Sequence, residues 1–314
     1  MKKLVYPFKK AKYLEFIKAL GWNSIENWVD FCEGKNLIFN LEKLKENRLK
    51  DDWIWCVLFP LLSQAYNIYN VEKKRKIIGI TALPGTGKST LGSLIEKLSS
   101  NMDIKITVLS IDDFYLPNKQ MLLAINKNPW NVSRGFPGSH STLLMKEKLL
   151  IWKDTGKLNF PTFDKSINNG FGDRANWRNE SPDVLILEGW FLGVKPYLET
   201  KNEINAIVPP LSNNEIKYRL KIQKNLINYI DIWDLVDKIW HLKPEKFTYL
   251  NQWKRQQEKE MLQNKGAALS EENLINFLRM LNVSLPQNSF AKIKADFVFS
   301  IDQQRKLTSL KFNK

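Results

Sequence analysis

Apolar positions along this chain change their period several times, and each change predicts an element. Up to about residue 70 they recur at helical spacing, as in Leu14, Ile17 and Leu20 and again in Trp53, Val57 and Leu61, with Gly21 and Gly34 as interruptions. The charged run Glu72-Lys73-Lys74-Arg75-Lys76 reads as a solvated boundary. Ile77-Ile78-Gly79-Ile80 then reads as an apolar strand, and Leu91, Leu94, Ile95 and Leu98 as one face of a helix. Further strands are predicted where Ile104, Ile106 and Val108 alternate toward Ser110, and at 184–187, 238–242 and 297–301. Helical patterns lie between them, around 141–153, 214–230, 246–264 and 271–281. Gly266 is the expected stop of the third, and Pro286 follows the fourth.

Strands alternating with helices predict an α/β fold whose mostly parallel sheet is covered on both faces. Residues 1–70 are expected to form a helical appendage packed on a domain spanning 71–314. Between Tyr115 and Asp183 the pattern lapses into loops dense in Gly, Pro and both signs of charge, a composition common in functional loops.

Composition changes this picture little. At 314 residues and 43% hydrophobic content the chain can build a real core. Lys and Arg number 48 against 33 Asp and Glu, a net charge of +15. The excess is spread through a chain rich in Lys, Asn and Ile, with no basic stripe interleaved with aromatics, so nucleic acid is not the expected partner. Cys32 and Cys56 have neither metal nor redox spacing, which fits a reducing compartment. The longest apolar run, Trp53 to Leu62, is broken by Pro60 and too short to span a bilayer, and Met1–Lys12 lacks a signal-peptide pattern. A cytoplasmic protein with no membrane partner is expected; the sequence leaves its oligomeric state open.

The chemistry gathers at Ala82-Leu83-Pro84-Gly85-Thr86-Gly87-Lys88-Ser89-Thr90. Strand, glycine-containing turn and Gly-Lys-Ser opening a helix are the context a phosphate-binding loop requires, with Ala82 where the pattern has its first glycine. Gly85 and Gly87 let backbone N–H groups turn inward as an anion cradle, Thr86 and Thr90 belong to the same loop, and the helix N-terminus adds its field. Lys88 is expected to reach the β- and γ-phosphates and Ser89 to ligate Mg²⁺. A nucleoside triphosphate, ATP, is the expected cosubstrate.

Two carboxylates end neighbouring strand patterns. Asp112, in Ser110-Ile111-Asp112-Asp113-Phe114-Tyr115, is the candidate to accept a substrate hydroxyl proton, with Asp113 expected to point elsewhere. Glu188 ends the apolar run 184–187 as a carboxylate for the Mg²⁺ shell. Arg134, Lys165 and Arg174 are the candidate cations for a small acidic substrate, with His140 as a hydrogen-bond partner. Lys254 and Arg255 are candidate lid cations within 245–266, and 115–180 supplies the substrate loops.

These residues together resemble the plant and cyanobacterial type of D-glycerate 3-kinase, a P-loop kinase family related to uridine kinase, pantothenate kinase and phosphoribulokinase. The matching pieces are Pro84–Thr90, Ser110–Leu116, Arg134–His140, Phe163–Ser166 with Gly170, Gly172, Asp173 and Arg174, Glu188–Gly193, Leu242–Pro244 and Gln252–Glu258. Where the family pattern has threonine before the histidine and aspartate after it, this chain has Ser139 and Ser141. The lid arginine after the tryptophan is Lys254 here, with Arg255 one place later. The resemblance spans roughly 75–302 and implies a three-layer P-loop kinase fold. It also implies ATP-dependent phosphorylation of D-glycerate to 3-phosphoglycerate, the salvage step of photorespiration, with Asp112 aligned to the catalytic aspartate of the uridine-kinase relatives. A kinase for another small alcohol, such as a nucleoside or pantothenate, is the alternative. A regulatory ATP-binding or nucleic-acid-associated protein is the reading from another class.

Overall fold

The computed structural model describes residues 8–46, 49–168, 170–265 and 268–312. Five strands run parallel through its centre. β1 (Ile77–Ala82) lies between β5 (Val184–Gly189) and β6 (Lys238–Pro244); β2 (Ile106–Ser110) flanks β5 and β7 (Phe297–Ile301) flanks β6. A last strand, β8 (Leu307–Phe312), pairs antiparallel with β7, giving the order β2-β5-β1-β6-β7-β8. Every residue of β1 and β5 is buried, because helices cover both faces and leave no side for solvent. The predicted mostly parallel α/β architecture is the one observed.

What reads in the sequence as an appendage is one of the covering layers. Helices Lys10–Ala19 and Ile25–Gly34, with a continuous helical run over 51–70, share a core with Ile78 and Ile80 of β1, Ile186 of β5, Trp240 of β6 and Phe297 of β7. Phe16, fully buried, meets Trp240, Phe297 and Phe299 edge to face, an arrangement aromatic quadrupoles favour. Replacing such a ring by Ala costs about 3–5 kcal/mol. Trp240 also donates from its indole N–H to Gln64 Oε1 at 2.9 Å. Pro60 does not end the helical run; it stands in the first turn of Phe59–Asn70, after a π turn at Ile54–Leu58, and the Trp55 carbonyl accepts from the Tyr13 hydroxyl at 2.6 Å.

The opposite face packs against Thr142–Thr155, Asn213–Leu226 and Glu271–Val283 through a second cluster that includes Leu185, Leu187, Trp152, Phe191, Tyr229 and Leu281. The stretch expected as loops holds a short helix, Asn118–Ala124, and an antiparallel hairpin, β3 (Leu158–Asp164) with β4 (Asp173–Glu180). β4 carries almost no apolar signal because it is a half-exposed ribbon with no buried residue. The helix Tyr249–Lys265 occupies the span predicted for it; Gly266, its expected stop, lies outside the described residues. Among the described residues no helix is long and apolar enough to cross a membrane.

Candidate active site

The site lies at the carboxyl ends of β1, β5 and β2, where an open parallel sheet leaves room for a ligand. After β1 the chain turns through Gly85 (φ +77°) and Gly87 (φ +112°), backbone regions that disfavour any side chain, and enters the helix Lys88–Ser99. Gly87 is the N-cap, and no side chain caps that helix. A Cβ built on Gly87 would point into open space, and Gly85 to Thr90 line a cleft at the start of that helix. Thr86 Oγ1 braces the turn by donating to the Leu83 carbonyl at 2.6 Å. Lys88 Nζ donates to Ala82 and Leu83 carbonyls at 2.7 and 3.2 Å. Burial pushes its ammonium pKa down, and Glu188 and Asp112 pull it back up.

Register sets the carboxylates. Glu188 stands opposite Ile80 of β1 on one side and Ser110 of β2 on the other, so it ends its strand beside the loop. It is buried, and burial raises its pKa against the pull of Lys88. β2 runs into a 3₁₀ turn, Ile111–Phe114, closed by a capping box: Ser110 Oγ accepts from Asp112 N, and Asp113 Oδ2 accepts from Ser110 N at 3.0 Å. Asp113 is thereby spent on the backbone, and burial lifts its pKa to about 7. Asp112, one residue earlier, is turned toward the cleft.

Around Asp112 the loops converge. Lys165, just past the end of β3, puts Nζ 2.6 Å from Asp112 Oδ2, and His140 Nε2 lies 3.9 Å from Oδ1. Burial works against the carboxylate, but Lys165 and His140 together hold it well below the usual range. His140 is itself buried, stacked on Tyr115, with Nδ1 2.8 Å from the Tyr229 hydroxyl. Burial lowers its pKa although Asp112 raises it, and Nε2 has no hydrogen-bond partner among the described residues.

Arg134 and Arg174 are occupied otherwise. Arg134 Nη1 donates to the Gly170 and Phe171 carbonyls at 2.7 and 2.9 Å, and Arg174 donates to the Tyr115 carbonyl and to Ser141 Oγ at 3.2 and 2.6 Å. Arg134 fastens the tip of the β3–β4 hairpin to the loop before His140, and Arg174 fastens the hairpin to Tyr115, just past the turn that carries Asp112. The serine standing for the family's aspartate at 141 is thus an Arg174 acceptor. Lys254 lines the cleft, with Nζ 2.5 Å from Glu258 Oε1. Arg255 does not: it pairs with Glu271 and faces a separate cavity of about 620 Å³, because adjacent helix positions point about 100° apart. Of the two cations expected to face the triphosphate, only Lys254 lines the cleft.

The resulting cleft is about 720 Å³ and is lined by Gly85 to Thr90, Asp112, Lys165, Glu188 and Lys254. Sequence reasoning missed part of its wall. Lys50, Trp53 and Arg305 also line it, brought there from opposite ends of the chain with no motif to mark them. Ser89 at the helix start and the carboxylate of Glu188 both line this cleft and present hard oxygen atoms, the donor type that Mg²⁺ accepts.

No family model matches the chain. It is similar to chloroplastic D-glycerate 3-kinase of Arabidopsis thaliana, 33% identical over 277 residues that cover 81% of this chain and 59% of the plant protein. The chain therefore spans little more than half the length of that relative. It is 28% identical over 230 residues to an uncharacterized kinase of Schizosaccharomyces pombe, covering 70% of this chain and 82% of the yeast protein. The structure of D-glycerate 3-kinase from Cryptococcus neoformans var. grubii matches its fold with a TM-score of 0.68 at 24% identity, over 82% of this chain and 96% of that one.

Proposed function

We propose that this chain, similar in sequence to a D-glycerate 3-kinase, is an ATP-dependent kinase phosphorylating D-glycerate to 3-phosphoglycerate. The observation that carries the proposal is the convergence of Lys88, Glu188, Asp112 and Lys165 on one cleft.

In this reading Lys88 and the uncapped helix start hold the triphosphate. Ser89 and Glu188 would hold Mg²⁺, which would neutralise phosphate charge. Lys165 meets the substrate carboxylate, exchanging part of its contact with Asp112 for it. Asp112 accepts a hydrogen bond from the attacking hydroxyl and takes its proton. A carboxylate held this acidic is a weak base, so its larger contribution is alignment, which suits a loose phosphoryl transition state. Arg134 and Arg174 serve the substrate by fixing the hairpin, and His140 by backing Asp112. Such a reaction would fit photorespiratory salvage, with a cytoplasmic location as part of the same reading.

The test is ADP release from the purified chain with ATP, Mg²⁺ and a panel of D-glycerate, uridine and pantothenate, followed by product identification. Turnover with D-glycerate giving the 3-phosphate is expected. Strong turnover with uridine alone would overturn the assignment.

A further inference from the structure

The turn between β7 and β8 stands over the phosphate loop. It is closed by Asp302, whose carbonyl accepts from Arg305 N at 3.0 Å and whose Oδ1 accepts from Lys306 N at 2.8 Å. Arg305 sits at φ +58°, the left-handed position that such hairpin turns normally give to glycine. Arg305 Nε donates to the Gly85 carbonyl at 2.8 Å, Nη1 donates to Gln256 Oε1 at 2.8 Å, and the guanidinium lies 5.6 Å from the centroid of the Trp253 ring. Gly85 is pressed against the same helix: a Cβ there would come within 2.7 Å of the Trp253 backbone. One arginine thus ties the phosphate loop to the helix that covers it. It also engages a loop carbonyl that would repel phosphate if it turned inward.

The Arg305 backbone is held by the N-terminal helical layer. Trp53 Nε1 donates to the Arg305 carbonyl at 2.6 Å, the buried Asp52 accepts from Leu307 N at 2.7 Å, and Lys50 Nζ donates to the Gln304 carbonyl. Lys50 and Trp53 themselves line the cleft.

We propose that the N-terminal layer is a working part of the nucleotide site: Lys50, Asp52 and Trp53 clamp the 302–306 turn, and Arg305 acts from it as a positioning residue for the phosphate loop. The proposal rests on the reading of the cleft as an ATP site.

The test uses the full chain with a fluorescent ATP analogue and Mg²⁺ for equilibrium binding, and steady-state kinetics with D-glycerate. Arg305→Met is expected to weaken nucleotide binding about tenfold, and Arg305→Lys to restore part of it. Trp53→Phe, which keeps a ring but loses the donor, is expected to weaken binding about threefold, with the KM for D-glycerate unchanged. Wild-type nucleotide affinity in both Arg305→Met and Trp53→Phe would overturn the proposal. So would a parallel loss of D-glycerate and nucleotide binding with a lowered melting point and no rescue by Arg305→Lys, which marks a merely structural role. Should the wild-type chain bind no ATP analogue, the ATP-site reading falls and takes this inference with it; wild-type binding with insensitive variants overturns the inference alone.

Discussion

Lys165 Nζ sits 2.6 Å from Asp112 Oδ2, joining the end of β3 to the 3₁₀ turn after β2. The pair brings a cation able to hold an acidic substrate next to the carboxylate able to align its hydroxyl. Neither residue is useful in its proposed role without the other's position.

Asp112→Asn removes the proton acceptor and keeps the shape. ATP binding is expected to persist while kcat falls, toward the lower end of the roughly 10²–10⁴-fold range for loss of a general base, because alignment is partly kept. An unchanged kcat in single-turnover assays would remove Asp112 from this role.

Lys165→Met should act on two measurements at once. Loss of a charge-assisted contact to the substrate carboxylate is expected to raise the KM for D-glycerate by about 10–100-fold. Lys165 also helps hold Asp112 well below its ordinary pKa. Without it the carboxyl titrates higher, so the acid limb of the kcat profile moves to higher pH. A pH profile identical to wild type would contradict the coupling.

Lys88→Ala loses the loop cation and its bonds to the Ala82 and Leu83 carbonyls but removes no apolar side chain from the core. Turnover is expected to fall by about 10²–10³-fold or more with the melting temperature nearly unchanged. Activity close to wild type would mean that the phosphate loop is not where transfer occurs.

His241, in β6 opposite Thr81, is buried, and burial pushes its pKa down to about 3. The unfolded chain binds a proton there below about pH 6.5 and the folded chain does not, so stability is intact above that pH and is lost as pH falls toward 3. At pH 5 this amounts to about 2 kcal/mol. His241→Gln should therefore lose less stability between pH 8 and pH 5 than wild type in denaturant titrations. Equal losses would show that His241 does not drive acid sensitivity.

Much of the fold is legible along the chain because its strands are short apolar runs separated by amphipathic helices, and both signals are local. The β3–β4 hairpin is not, since Asp173–Glu180 pairs through its backbone and leaves its side chains half in water, where no alternation is required. The same limit explains the arginines. Arg134, Arg174 and Lys165 look alike in a loop of unknown path, and only the folded hairpin shows that two of them bond carbonyls while the third reaches Asp112.

By itself the sequence determined the parallel α/β frame, the phosphate loop at Gly85–Ser89 and the carboxylates that end β5 and follow β2. Strand period, glycine freedom and strand-end position are properties of neighbours in the chain. Tertiary structure alone decided that residues 51–70 are part of the core, that Arg255 turns away from the cleft, and that Trp53 and Arg305, 252 positions apart, meet beside Gly85. Those outcomes depend on which surfaces the sheet leaves open and which distant side chains fill them, and no local pattern encodes that.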